Sequence, residues 1–468
     1  MKKILKSNIK LIVAAGTLLL CFGTSCKKFV VVPQPTNQVT TAAVFSDDQT
    51  ATASVLGIYS QVMNHNEYFL NGNFSLYAGL SADEILDTSP NTTYDVFISN
   101  AIPSSDNEVQ TNYWKTAYTF IYQANACIEG LNNAKGLTPA LKQQLLGEAE
   151  FMRALCYFYM VNTFGDVPLE TTTDYKVNGS DPRTAGTEIY KQIEADLLDA
   201  QGKLSETYPS TGPIRPNKWA ATALLARVYL YEKKWTEANS ASSAIIGSGT
   251  YSLATDLNQV FLANSPEAIL QFVPELKFFN TSEGNTFIPQ LAFLKPKFTL
   301  TPALLSSFEP GDARLTNWTK TKTFGAVTIV SPYKYKLGLN FSNPPVTEYN
   351  MVLRYAEQYL IRAEAEANGA GDGLAGAISD INVIRNRAGL SNLDPGLTQA
   401  QVLAAVMQER RVEFFAEFGH RWYDLKRTGQ AVTVLSAEKG SFNQNAELYP
   451  IPLTELQLNP FLKQNPGY

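Results

Sequence analysis

Apolar residues recur at every third or fourth position through much of this chain, the period of a helix with one buried face. In ALLARVYLYEKKWTEANSASSAII (Ala223 to Ile246) small residues stand at Ala226 and Ala238, with an aromatic at Tyr229 between them. This spacing predicts two helices that approach closely at the alanines while the tyrosine fills the gap. YLIRAEAEANGAGDGLAGAISDINVIRNRAG (Tyr359 to Gly389) repeats the device, with Ala363 and Ala375 again 12 residues apart. Ala356, Leu360, Ala363 and Ala367 form one apolar stripe, and the NGAGDG turn ends the first helix. A further unit opens at GEAEFMRALCYFYMVNTFGDVPL (Gly147 to Leu169), where Ala154 and Tyr157 echo Ala226 and Tyr229 before Gly165 and Pro168 break the helix. Upstream, Trp114, Tyr118, Ile121 and Ile128 also keep helical spacing, and their aromatics read as core, with a binding role as the alternative.

Eight or more helices in pairs are expected, in the manner of tetratricopeptide repeats. The rhythm is lost between about Thr250 and Glu348, where short apolar runs alternate with Gly, Pro and many aromatics. A long segment without periodicity inside a helical chain is expected to be functional surface. Ser81 to Gln110 is a smaller stretch of the same kind. The predicted fold is mainly α: a tetratricopeptide-like helical-pair scaffold carrying a large loop-rich, mostly irregular face. Its expected divisions are a signal segment over 1–25, an N-terminal helical region over 26–250, and a C-terminal region over 251–468 with a loop-rich insertion at 251–348.

The N-terminus follows a different rule. Lys2, Lys3, Lys6 and Lys10 precede an apolar run from Leu11 to Gly23, the layout of a secretory signal peptide. That run is too short for the roughly 20 residues that span a bilayer. Cys26 follows the small residues Gly23, Thr24 and Ser25, whereas Cys21 follows Leu20. Cys26 is therefore the candidate for lipidation, in the manner of a bacterial lipobox with Gly23 in place of the usual Leu. An ordinary signal peptide with an incidental cysteine is the competing reading. Acyl chains contribute about 0.8 kcal/mol per buried CH₂, so two or more would moor the chain to a membrane it does not span.

Composition fits a folded body on that tether, with 45% hydrophobic and 17% charged residues. Loss of the four signal lysines takes the formal charge from −5 to −9, a balance that offers nucleic acid nothing. Cys127 and Cys156 lie within helical patterns and read as small buried hydrophobes, with a pairing between them as the alternative. His65 and His420 are the only histidines, too few for a common zinc site, and no phosphate-binding glycine motif occurs. No cofactor or metal is expected.

The block ERRVEFFAEFGHRWYDL invites a catalytic reading, because Glu409, Glu413 and Glu417 fall at i, i+4 and i+8 beside His420. Glycoside hydrolysis needs carboxylates on opposite sides of a cleft. Three on one helix face, with Arg410 and Arg421 placed to neutralise them, read as structure. Asp312 and Arg314 in EPGDAR read as a turn. Sugar recognition needs less: aromatic faces on loops, with polar groups for the hydroxyls. Asn91, Tyr94, Asp95 and Phe97 supply these in the first loop region, and Phe278, Phe279, Phe287, Trp318 and Tyr333 in the second.

Five blocks in order, FMRALCYFYMVNTFGDVPL, YNMVLRYAEQYLIRAEAEAN, INVIRNRAGL, ERRVEFFAEFGHRWYDLKRTG and LYPIPLTELQLNPFLKQNPGY, together resemble the SusD/RagB family of Bacteroidetes outer-membrane lipoproteins. The resemblance implies a tetratricopeptide-like helical fold with a loop-rich face, held at the cell surface by lipid, with a SusC-like TonB-dependent transporter as partner and an oligosaccharide or peptide as cargo. With no acid/base pair among the candidate residues, a non-enzymatic protein that binds an oligosaccharide is expected. A peptide-binding or protein-interaction scaffold of the same fold is the alternative, and a glycan hydrolase the more distant one. The family's ligand-contacting loops vary, so no ligand residue carries over from the resemblance.

Overall fold

The computed structural model describes residues 41–468 apart from 66–67, 90–91 and 343–344. The signal segment and Cys26 lie outside the described residues. Among the described residues, eleven helices of eight residues or more build the scaffold: α1 (Asp48–Met63), α2 (Thr116–Asn133), α3 (Pro139–Phe164), α4 (Gly186–Lys203), α5 (Lys218–Tyr231), α6 (Trp235–Gly247), α7 (Tyr355–Ala367), α8 (Gly373–Arg387), α9 (Gln399–Glu413), α10 (His420–Arg427) and α11 (Ala431–Lys439). Their ends follow local chemistry. Proline at the first position opens α3, and Gly165 in positive φ closes it. Asn217 caps α5 by accepting from the Ala220 N–H at 3.0 Å, and Thr398 and Gln401 form a capping box on α9.

The helices pack in neighbouring pairs, α2 with α3, α3 with α4, α5 with α6 and α7 with α8. Ala226 and Ala238 are both fully buried, joined by Ile361 and Ala365 of α7, so the pairs share one interior. The stripe Ala356, Leu360, Ala363 and Ala367 is buried as its spacing predicts. The α7–α8 contact differs in one residue: Ala375 is exposed, and Ala377 packs against Ala363. Because α8 starts only at Gly373, Ala375 falls in its solvent-facing first turn, and the inward face begins two residues later. Cys127 and Cys156 are buried free thiols.

Among the described residues between α6 and α7 no helix exceeds the six residues of Ser282–Phe287, yet the segment is less irregular than expected. Six strands, β1 (Ile85–Asp87), β2 (Ala268–Phe272), β3 (Phe298–Leu300), β4 (Thr319–Phe324), β5 (Val327–Pro332) and β6 (Asn350–Arg354), form three antiparallel pairs, β1–β3, β2–β6 and the β4–β5 hairpin. Short apolar runs between glycines and prolines are what such two-stranded ladders require, and they are too brief to show a period.

The root of this segment is an internal ion network. Arg314, fully buried, donates to Asp312, to Glu409 at 2.9 Å and to Glu413 at 3.1 Å. Arg354 donates to Glu413 at 2.6 Å and Glu417 at 2.9 Å, Arg387 bridges Glu267 and Glu413, and Lys334 pairs with Glu417. The three glutamates do not stack on one helix, since α9 ends at Glu413 and Glu417 lies in the turn that follows. Nor do their sequence neighbours neutralise them: Arg410 pairs with Asp424 at 2.7 Å and Arg421 with Asp83 at 2.7 Å. Gly419, at φ +67°, makes the tight turn possible, because a Cβ there would stand 2.7 Å from that of Ala78. Asp312 closes the turn from Glu309, as the sequence suggests, but Arg314 lies in the short helix Ala313–Asn317 that Asp312 caps, and the two together are an anchor in the core.

Burial would raise the Glu413 carboxyl, but Arg387, Arg354 and Arg314 hold it well below the usual range. His420 is buried beside Arg410, and its desolvation together with Arg227, Arg410, Arg354 and Lys334 holds it well below the usual imidazole value. The block that looked catalytic is a structural one.

Candidate ligand-binding site

The two loop-rich regions meet on one face. β1, from the first, pairs with β3, from the second, placing Ile85 opposite Leu300 and Asp87 opposite Phe298. Side chains reinforce the junction: Thr88 Oγ1 donates to the Pro296 carbonyl at 2.7 Å, and Lys295 Nζ to that of Thr88 at 2.6 Å. The Phe298 ring is the hub, meeting Tyr94 at 5.1 Å and Phe287 at 6.0 Å between centroids. Lys297 lies over the Tyr94 ring and donates to its hydroxyl at 2.5 Å. β3 also borders β5, where Ser331 Oγ donates to the Phe298 carbonyl at 2.7 Å.

Beside the hairpin a groove of about 250 Å³ opens, walled by Phe287, Ile288, Pro289, Pro296, Pro332 and Tyr333 and edged by Lys320 and Lys322. The alternation TKTKTF in β4 sends both lysines to the same side. Lys320 stands 5.3 Å and Lys336 4.3 Å from the centre of the Tyr333 ring, close enough for both ammonium groups to be drawn to it. Burial pulls Lys336 down to about 8, against the opposing charge of Glu348. The loop above the groove exposes Leu291, Phe293 and Leu294, with Phe293 74% accessible. No carboxylate or histidine is among the lining residues. The groove can offer ring faces and ammonium donors to a ligand with C–H faces and hydroxyls.

The sequence candidates divide accordingly. Tyr333 walls the groove, and Phe287 is its buried floor, linked through Phe298 to the buried Tyr94. Asp95 is exposed on the helix Thr92–Ile98, and Asn91 lies outside the described residues. Phe97 is fully buried against Tyr77 and Tyr449. Trp318 is fully buried as well: its indole N–H donates to the Leu257 carbonyl at 2.9 Å, and Lys334, Arg354 and Arg387 approach its faces. Phe278 pairs with the exposed Phe341 at 5.8 Å, apart from the groove lining, and Phe279 is half-buried next to it. Phe293, Lys320 and Lys322 were not picked out by sequence. The signals were an aromatic between Pro289 and Pro296 and lysines alternating along a short strand.

Comparison with known proteins agrees with this architecture. A family model described as starch-binding associating with outer membrane matches residues 34–230, and the SusD family model matches residues 313–468. The chain belongs to the SusD/RagB family. A SusD-like protein of Formosa agariphila is 28% identical, across 98% of this chain and 99% of that protein. The starch-binding protein SusD of Bacteroides thetaiotaomicron is 25% identical across 77% of this chain and 78% of its own. Among solved structures, a SusD superfamily protein from Bacteroides vulgatus superposes with a TM-score of 0.79 at 22% identity, covering 91% of this chain and 100% of that one. A laminarin binding SusD-like protein gives 0.75 at 24% identity over the same shares. The SusD-like fold therefore holds across sequences that share about a quarter of their residues.

Proposed function

We propose that this SusD/RagB protein binds a glycan at the groove beside the β4–β5 hairpin and acts by capture, without cleavage. The observation that carries the reading is a groove with an aromatic wall and lysine donors, built from the second loop-rich region and braced by the first through the β1–β3 pair. Support comes from relatives whose names record starch binding and laminarin binding. The lining lacks the paired carboxylates that glycoside hydrolysis uses.

Cys26 is the proposed site of acylation, which would hold the protein at the outer membrane with its loop-rich face outward. Its proposed partner is a SusC-like TonB-dependent transporter, to which it delivers the captured oligosaccharide. Mass analysis of the mature N-terminus tests the anchor, and co-purification from membranes tests the partner.

The decisive experiment uses soluble chain starting at Lys27 in affinity gels and calorimetry against starch, laminarin and a panel of other polysaccharides. Retention by at least one glycan, weakened in Tyr333→Ala, is expected. Migration unaltered by every glycan, or release of reducing ends, would overturn the reading.

A further inference from the structure

A second cavity, of about 470 Å³, opens elsewhere on the scaffold, between α2, the segment after α3 and the short C-terminal helix Leu453–Leu458. Its volume lies within the range of about 300–1,000 Å³ typical of small-molecule pockets. One wall is aromatic: Trp114, Tyr118 and Tyr122, the first two with rings 5.2 Å apart and Tyr122 half exposed. This wall is set by a π-helical segment, Val109–Lys115, that runs straight into α2. Such wider turns offset the register of a helix and occur often at functional sites. Here Tyr113 goes into the core while Trp114 lines the cavity. Tyr118 is fixed by donating its hydroxyl proton to the Pro168 carbonyl at 2.8 Å.

Facing that wall are two carboxylates, Glu170 and Glu455. Neither forms an ion pair among the described residues, in contrast to the internal network, where carboxylates are matched by guanidinium or ammonium groups. Burial, Asp181 and Glu455 push the Glu170 carboxyl up to about 7. Burial raises Glu455 too, while the Trp114 indole N–H and Lys115, which also lines the cavity, pull the other way. Of the amides at the rim, Asn459 donates to the Asp181 carbonyl and accepts from the Phe461 N–H, whereas Asn178 donates to the Thr172 carbonyl and keeps a buried Oδ1 without a partner among the described residues, one more acceptor for a donor group. With two carboxylates against the one ammonium of Lys115, what the cavity offers is carboxyl acceptors opposite ring faces. An ammonium group satisfies the carboxylates, and a ring with axial C–H bonds satisfies the wall.

We infer that the cavity walled by Trp114, Tyr118 and Tyr122 and faced by Glu170 and Glu455 is a second ligand site, separate from the hairpin groove, that takes an amine-bearing sugar of one or two rings. It stands apart from the glycan reading of the groove, because the two share no lining residue.

The test is titration of the soluble chain at pH 7, by ligand-detected NMR and calorimetry, with the β-1,4-linked dimer of glucosamine. The N-acetylated dimer, cellobiose and lysine amide serve as comparison ligands. Saturable binding of the glucosamine dimer at least threefold tighter than any comparison ligand is expected. Glu170→Gln and Tyr122→Ala should each weaken it threefold or more, and Tyr333→Ala in the groove should leave it unchanged. Both tested side chains reach the surface, so folding is checked by an unaltered melting curve. Equal binding of cellobiose or the N-acetylated dimer would overturn the assignment to an amine. Equal binding of lysine amide would overturn the assignment to a sugar. Indifference to Glu170→Gln and Tyr122→Ala would overturn the site.

Discussion

Tyr94 and Phe298 meet edge to face with ring centroids 5.1 Å apart, across 204 positions of sequence. This contact, with the β1–β3 ladder beneath it, makes one surface of two loop regions. Phe298→Ala is therefore expected to cost about 3–5 kcal/mol of stability, the range for a buried aromatic, and to abolish glycan retention. Tyr94→Phe, which keeps the ring and removes the hydrogen bond from Lys297, should cost about 1 kcal/mol. Denaturant melts of the two variants check both values.

Aromatic residues of the loops should separate into two classes on truncation. Tyr333→Ala and Phe293→Ala are expected to weaken glycan binding about three- to tenfold with little change in melting temperature. Trp318→Ala should do the reverse in the first instance, unfolding the chain at lower denaturant, because its indole fills the interior among Lys334, Arg354 and Arg387. Calorimetry and melting curves on the same three variants give the comparison.

Removing one member of the internal ion network strands its partners. Glu413→Ala leaves Arg314, Arg354 and Arg387 undercompensated and is expected to cost about 3–5 kcal/mol. Glu188→Ala, at an exposed pair with Lys191, should stay within about 0.5 kcal/mol. Urea midpoints at constant slope would show the difference.

Glu84 supplies a pH dependence of definite sign. Burial and the neighbouring Asp83 raise its carboxyl to about 8, against an ordinary value of 4.5. Between these values the folded chain keeps a proton that the unfolded chain has lost, so stability falls as pH rises through that window. The gain from Glu84→Gln should accordingly be small at pH 5 and grow toward pH 8, by ~4 kcal/mol at most. A gain independent of pH would show that Glu84 is not the titrating group.

Buried thiols should resist modification. Desolvation raises both Cys127 and Cys156, and the native chain is expected to react with iodoacetamide at neither until denaturant is added. Peptide mass analysis reads the labelled positions.

Periodicity carried the helical scaffold because each helix buries one stripe, and a stripe is visible in a linear pattern. Ala226 and Ala238 were legible for that reason. Ala375 was misassigned because a 12-residue spacing says nothing about where the second helix begins, and the turn delays α8. The partners of Glu413 and Glu417 were out of reach: they come from β6, α8 and the loop around Arg314 and Lys334, and charge pairing at long range leaves no local trace. The same limit applied to the loop aromatics. Trp318, Phe97 and Tyr333 look alike in sequence, and only the strand pairing that folds the loops together decides which face water.

The ion network grips the irregular segment at its foundations, through Arg314 and Lys334, and does not reach the tips at Phe293 and Gly325. The outer turns can therefore be exchanged like bits in a chuck. A library that varies residues 290–294 and 325–326 would alter what the surface grasps while the grip on the scaffold stays the same, which makes this chain a natural frame for engineering receptors of new selectivity.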